Sequence, residues 1–97
     1  MTKSKLIEAL AAKQNLSTQD AKAIVDTILE TMTEALVRGD NVEIRGLGSF
    51  QVREYESYTG INPKTGEKIK ITPKRLPFFK PGKDLREQVN ANYHNKP

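Results

Sequence analysis

Cysteine is absent from the 97 residues, which excludes disulfides, thiolate catalysis and cysteine-based metal sites. A chain without it fits a reducing compartment. Histidine occurs once, at His94 near the end, too isolated for a catalytic or metal-binding role. Long apolar runs are also missing. No stretch approaches the ~20 residues of a membrane span. Residues 1–10 lack the uninterrupted apolar segment of a signal peptide, so no leader and no membrane partner are expected. Without a secretory signal, the Asn15-Leu16-Ser17 sequon is coincidental. Gly46-Leu47-Gly48 begins like a dinucleotide fingerprint, but position 51 is Gln and no βαβ unit follows, so the phosphate cradle is not built. Glu54 and Glu56 share strand parity, yet nothing around them promises the burial that raises a carboxyl pKa for acid–base work. No nucleophile, base and oxyanion site come together. The chain is therefore read as a non-enzyme, without metal, cofactor or small-molecule substrate.

What the chain does have is positive charge, unevenly placed. The formal net charge is +4. Residues 1–59 hold seven Lys/Arg against nine Asp/Glu, a net of −2, whereas residues 60–97 hold nine against three, a net of +6. A basic second half suggests a polyanionic partner. At this length one domain is the usual outcome. A domain this small buries a modest fraction of its surface, so a lone copy is marginal.

Helical spacing dominates the first half. Leu6, Ile7, Leu10 and Ala11 predict a helix over residues 3–14, with Thr2 or Ser4 as cap and Asn15 as its end. Ser17 followed by Asp20 resembles a capping arrangement. A longer helix then runs to about Arg38, with Ala21, Ile24, Val25, Ile28, Leu29, Met32, Ala35 and Leu36 at three- and four-residue steps and Gly39 just past its end. So wide a stripe is expected to pack on the first helix and on a second copy of the chain. Strand alternation begins at Val42 and Ile44, turns at Gly46-Leu47-Gly48 and resumes at Phe50 and Val52. Residues 75–79 predict a returning strand. Pro73 and Pro77 cannot donate to a ladder and so belong at edges or bulges. A short helix is expected from Lys83 to about Asn90, with Leu85 and Val89 inward, and residues 91–97 as a loose tail.

Residues 53–74 read as a long two-stranded ribbon that continues the second strand. Tyr55, Tyr58, Thr59, Ile61, Ile69, Ile71 and Thr72 flank a turn at Asn62-Pro63-Lys64-Thr65-Gly66. Eight residues a side reach roughly 25 Å. The ribbon cannot pack a core of its own, so it is expected to project and to be held by what it binds. Lys64, Lys68, Lys70 and Lys74 are its candidate phosphate contacts. With Asn62 opposite Gly66, Tyr58 would share a face with Lys68 and Lys70, and Ile61, Ile69 and Ile71 would take the other. Pro63 at the far tip offers a compact ring that can enter between base pairs.

Three spaced motifs carry a family resemblance: Ile44-Arg45-Gly46-Leu47-Gly48-Ser49-Phe50, Gly60-Ile61-Asn62-Pro63-Lys64-Thr65-Gly66, and Pro77-Phe78-Phe79-Lys80-Pro81-Gly82-Lys83. Over residues 1–90 the chain resembles the bacterial HU/IHF architectural DNA-binding proteins. The resemblance implies an α+β fold: an intertwined dimer with a helical body, a small antiparallel sheet and a protruding β-ribbon arm. It implies a nucleoid-associated, cytoplasmic protein that binds the minor groove of double-stranded DNA and bends and condenses it. The dimer would be a homodimer or a heterodimer with a paralogue. Pro63 would be the intercalating tip, with Asn62 and Lys64 beside it. Lys3 and Lys83 match body positions that hold flanking phosphates, Arg53 matches an arm-base arginine, and Arg45 matches a groove-reading position. Tyr58, Arg75 and Lys80 complete the expected DNA-binding set. Family members commonly carry Arg where this chain has Tyr55, Tyr58 and Ile61, which implies weaker phosphate contact along the arm. The alternative reading is a basic ribbon that grips RNA or an acidic protein.

Overall fold

The computed structural model describes residues 1–94, the side chains of Tyr58, Ile71 and His94 excepted. In chain order the elements are α1 (Lys3–Gln14), α2 (Thr18–Val37), β1 (Val42–Ile44), β2 (Gly48–Tyr55), β3 (Tyr58–Ile61), β4 (Lys68–Ile71), β5 (Lys74–Pro81) and α3 (Lys83–His94). Helices and antiparallel sheets occupy separate parts of the chain, the α+β class expected. The chain divides into two compact units after Arg38.

The first unit is a helical hairpin with explicit stop and start signals. The Thr2 hydroxyl caps α1 by accepting from the Lys5 N–H at 3.2 Å. Asn15 takes the left-handed conformation (φ 52°), and the Leu16 N–H reaches back to the Ala11 carbonyl at 2.9 Å, a Schellman-type ending. Ser17 Oγ accepts from the Asp20 N–H at 3.0 Å and opens α2. Between the helices the core consists of Ile7, Ala21 and Val25, with Leu10 and Ala11 packed against it. The α2 stripe therefore splits. Ala21 and Val25 face α1, while Ile24, Leu29 and Ile28 stay open, Ile28 at 52 % exposure. The hairpin covers one side of the stripe and leaves the other for another surface.

In the second unit, β2 is the centre of a three-stranded sheet ordered β1-β2-β5, and β3 and β4 form a separate two-stranded ladder. On one side of the larger sheet the Phe50 and Phe79 rings meet at 4.8 Å, inclined by 42°. Pro77 lies in β5, which pairs only with β2, so its missing N–H falls on an open edge as expected. β2 does not continue unbroken into the ribbon. Pairing stops at Tyr55↔Lys74 and resumes at Tyr58↔Ile71. Pro73 lies in this gap, outside both ladders. α3 runs to His94, beyond the end expected near Asn90. Tyr93 continues the spacing of Leu85 and Val89, a signal that the polarity of the tail obscured; residues 95–97 lie outside the described residues.

The β1–β2 turn is held close to the start of α3. The Gly82 N–H donates to the Leu47 carbonyl at 3.0 Å, and the Arg86 N–H to the Gly82 carbonyl at 3.1 Å. Gly48 makes this approach possible. Its φ is +152°, and a Cβ there would lie 2.9 Å from Pro81 Cα and against the Lys80 carbonyl. Gly48→Ala is expected to destabilise the protein by about 1–3 kcal/mol, since strain and a backbone collision act together. A urea unfolding midpoint equal to that of the parent would contradict this account.

Candidate nucleic-acid interface

The register of the long ribbon decides which residues act together. Every pair from Gly48↔Pro81 through Tyr55↔Lys74 to Ile61↔Lys68 keeps one offset, with two residues on each side of the gap and no bulge. Directly opposed residues share a face, and faces alternate along each strand. In the β2–β5 ladder one face therefore carries Ser49 and Lys80, Arg53, and Tyr55 and Lys74, and the other carries Phe50, Phe79, Val52 and Pro77. In the β3–β4 ladder one face carries Thr59 and Lys70, then Ile61 and Lys68, and the other carries Gly60 and Ile69. Three cations thus line one face of the sheet and two line one face of the arm. The alternation does not run through the gap: the Gly82 N–H to Leu47 carbonyl bond and the Asn62 N–H to Glu67 carbonyl bond put the two ladders out of phase. Arg75, opposite Glu54, lies on the sheet face away from Arg53. Its guanidinium reaches toward Gly39, where an added Cβ would meet Nη1 at 2.8 Å.

The tip corrects the expected register. Asn62 lies opposite Glu67, not Gly66: the Asn62 N–H donates to the Glu67 carbonyl at 2.8 Å. Four residues, 63–66, form the loop, and Gly66 closes it in the left-handed region (φ +73°), where a side chain would be strained. The Asn62 carbonyl accepts from the Gly66 N–H at 2.7 Å and its Oδ1 from the Lys64 N–H at 2.9 Å. Asn62 is thus occupied in building the turn. One residue more in the loop exchanges the faces: Ile61 joins Lys68 and Lys70, while Tyr58 pairs through its backbone with Ile71. The Tyr58 side chain lies outside the described residues. Pro63 and Lys64 are exposed at the end of the arm.

Nearer the sheet, Arg45 and Lys80 line a shallow groove with Glu43, Ser49 and Gln51. Gln51 Nε2 donates to Ser49 Oγ at 3.1 Å. Ser49 and Gln51 were not anticipated as site residues; their strand parity with Arg53 was the available signal. The Arg53 guanidinium stacks on the Phe78 ring, 3.6 Å from its centroid. Lys83 opens α3 and stands 3.9 Å from Glu87, a loose, exposed pair worth little.

Lys3 belongs to the helical unit and is already engaged. Its Nζ lies 2.7 Å from Asp26 Oδ1, and Lys22 Nζ lies 2.7 Å from Asp26 Oδ2. Oδ1 is shut off from water without a well-angled hydrogen bond, so the Lys3 ammonium meets it as an ion pair. The hydrogen bond from Lys22, then the ammonium of Lys3, holds the Asp26 carboxyl below its ordinary range. The same bond to Asp26 raises the Lys22 ammonium.

A ribbon that carries Lys68 and Lys70 on one face and ends in a turn exposing Pro63 and Lys64 suits a polyanionic partner. The sequence profile of the family described as "Bacterial DNA-binding protein" matches residues 1–90, and the chain belongs to that family. It is 50 % identical over 96 residues to integration host factor subunit beta of Alkalilimnicola ehrlichii, covering 98 % of this chain and 96 % of that one. It is 49 % identical over 89 residues to DNA-binding protein HU of Thermotoga maritima, covering 92 % and 99 %. Among solved structures, an Anabaena HU–DNA cocrystal structure superposes with a TM-score of 0.82 at 43 % identity, over 92 % of this chain and 97 % of that one.

The Asp26 cluster yields a pH dependence. A carboxyl whose pKa is lowered on folding stabilises the fold above its unfolded value and loses that contribution as pH falls through the lowered one. Asp26→Asn is expected to unfold at lower temperature than the parent near neutral pH, with the gap closing below about pH 4. Thermal melts of both proteins across that range test it; a gap independent of pH would mean that the cluster is not the cause.

Proposed function

We propose that this chain is a non-enzymatic architectural protein that binds the minor groove of duplex DNA and bends it, acting as a dimer. The observation that carries the reading is the pairing, which sets Lys70 and Lys68 on one face of the arm next to the Pro63 turn and Lys80, Arg53 and Lys74 on one face of the sheet at its base. Cations on that face displace counterions from phosphates. Insertion of apolar wedges between base steps is the known mode of minor-groove architectural proteins, HU and IHF among them. Pro63 is the group placed to do so here. Smooth bending of a 20–30 base-pair site costs on the order of 1–6 kcal/mol, which contacts along the bent duplex offset.

Around the arm, Arg45 and Lys80 contact DNA from the groove at the sheet, Lys83 and Lys3 hold flanking phosphates, and Lys64 supports the tip. Arg53 presents an edge already fixed by Phe78, while Arg75 serves from the opposite face. A phosphate at Lys3 competes with Asp26. Residues 1–90 act as one DNA-binding domain, and the nucleoid in the cytoplasm is the working place. The open α2 stripe receives a second chain, identical or paralogous, as the subunit naming of the relatives supports. DNA cocrystallised with an HU relative favours duplex DNA over RNA or an acidic protein.

Two variants test the division of labour. Pro63→Ala should reduce the bend angle, read by end-to-end energy transfer on labelled duplex, more than it reduces affinity; an unchanged angle removes the wedge. Lys68→Ala with Lys70→Ala should flatten the slope of log K against log salt by up to roughly 3.6 for the four lysines of a dimer, at ~0.9 per phosphate contact. An unaltered slope means that those lysines do not meet phosphates.

A further inference from the structure

Ile61 is out of place on the cationic face. The expected register put it with Ile69, on the apolar side of the ribbon. The observed one sets it opposite Lys68, on the face of Lys70. It is 68 % exposed, more than Ile69 at 42 %, so the arm gives it little to pack against. It is also the last paired residue before the tip, two positions from Pro63, and the Asn62 between them is tied into the turn through its N–H, carbonyl and Oδ1. What the end of the arm offers a groove is therefore two apolar groups, Ile61 and Pro63, flanked by Lys64 and Lys68.

We propose that Ile61 is a specificity-determining residue: it makes the arm tip select duplexes whose base steps unstack readily over those with a narrow, strongly negative minor groove. The inference rests on the DNA-bending reading above. A narrow A-tract groove attracts inserted cations through its negative potential, and an isoleucine gains nothing from that potential. Stiff A-tracts also resist opening, whereas TA and CA steps kink easily. An exposed aliphatic side chain gains by leaving water, and at an opened step it meets base and sugar surface that a closed groove withholds. The energy it contributes is independent of salt, unlike that of Lys68 and Lys70.

The test uses the full-length protein and two duplexes of equal length, one with TA and CA steps where the tips insert and one with A-tracts there. Affinity is measured across a salt series for the parent, Ile61→Arg and Ile61→Ser. At so exposed a position both variants keep the fold. The parent should prefer the flexible duplex. Ile61→Ser should lose roughly three- to tenfold in affinity for it, the scale of partial burial of one aliphatic side chain, with the salt slope unchanged. Ile61→Arg should shift the preference toward the A-tract and steepen the slope by ~0.9 per added phosphate contact. The inference is overturned if Ile61→Ser binds both duplexes like the parent, or if Ile61→Arg leaves the preference unaltered. If the parent bends neither duplex, the architectural reading fails, and this inference with it; a bending parent with indifferent variants defeats the inference alone.

Discussion

The backbone ladder between β2–β3 and β4–β5 is the constraint from which the interface follows. Within each ladder antiparallel pairing forces side chains into two sets, and no later adjustment can move a residue from one to the other. The sequence places its lysines and arginines so that this sorting gathers Lys80, Arg53 and Lys74 on one side of the sheet and Lys70 and Lys68 on one side of the arm. Phe50, Val52 and Phe79 fall on the reverse, where the Phe50–Phe79 contact forms. Between the ladders two pairs are lost, at residues 56–57 and 72–73, and the sorting begins afresh in the arm.

Much of this was legible in the residues. Thr2, Asn15 and Ser17 announced the ends of α1 and α2, because caps are local chemistry. The Asn-Pro-Lys-Thr-Gly cluster announced the tip for the same reason. The number of residues in the loop was not legible. Asn62 can face Gly66 or Glu67, and the choice depends on whether Gly66 belongs to the strand or closes the turn with a positive φ. That single count reassigned Ile61. The Arg53–Phe78 contact was hidden as well, since it joins residues 25 positions apart whose proximity only the register reveals. The extension of α3 lay within reach, in the spacing of Leu85, Val89 and Tyr93, behind a polar composition that suggested a loose end.

The cations differ in how far they are prepared for a partner. Arg53 is immobilised on an aromatic ring, which restricts the guanidinium without neutralising it. Lys3 is held by the Asp26 carboxylate, which any other anion would have to displace. Lys64, Lys68 and Lys70 stand exposed on the arm, so their ordering falls to the moment of binding. The chain thus carries both held and free cations.

The core of the helical hairpin has a consequence beyond the interface. Ile7, Ala21 and Val25 are the buried apolar side chains among the described residues, far too few to offset the conformational entropy of the whole chain. On the dimeric reading proposed above, a second copy supplies the missing burial, and mass action then enters the stability itself. The folded fraction would rise with the concentration of the chain, so dilution would act on it in the same direction as heat.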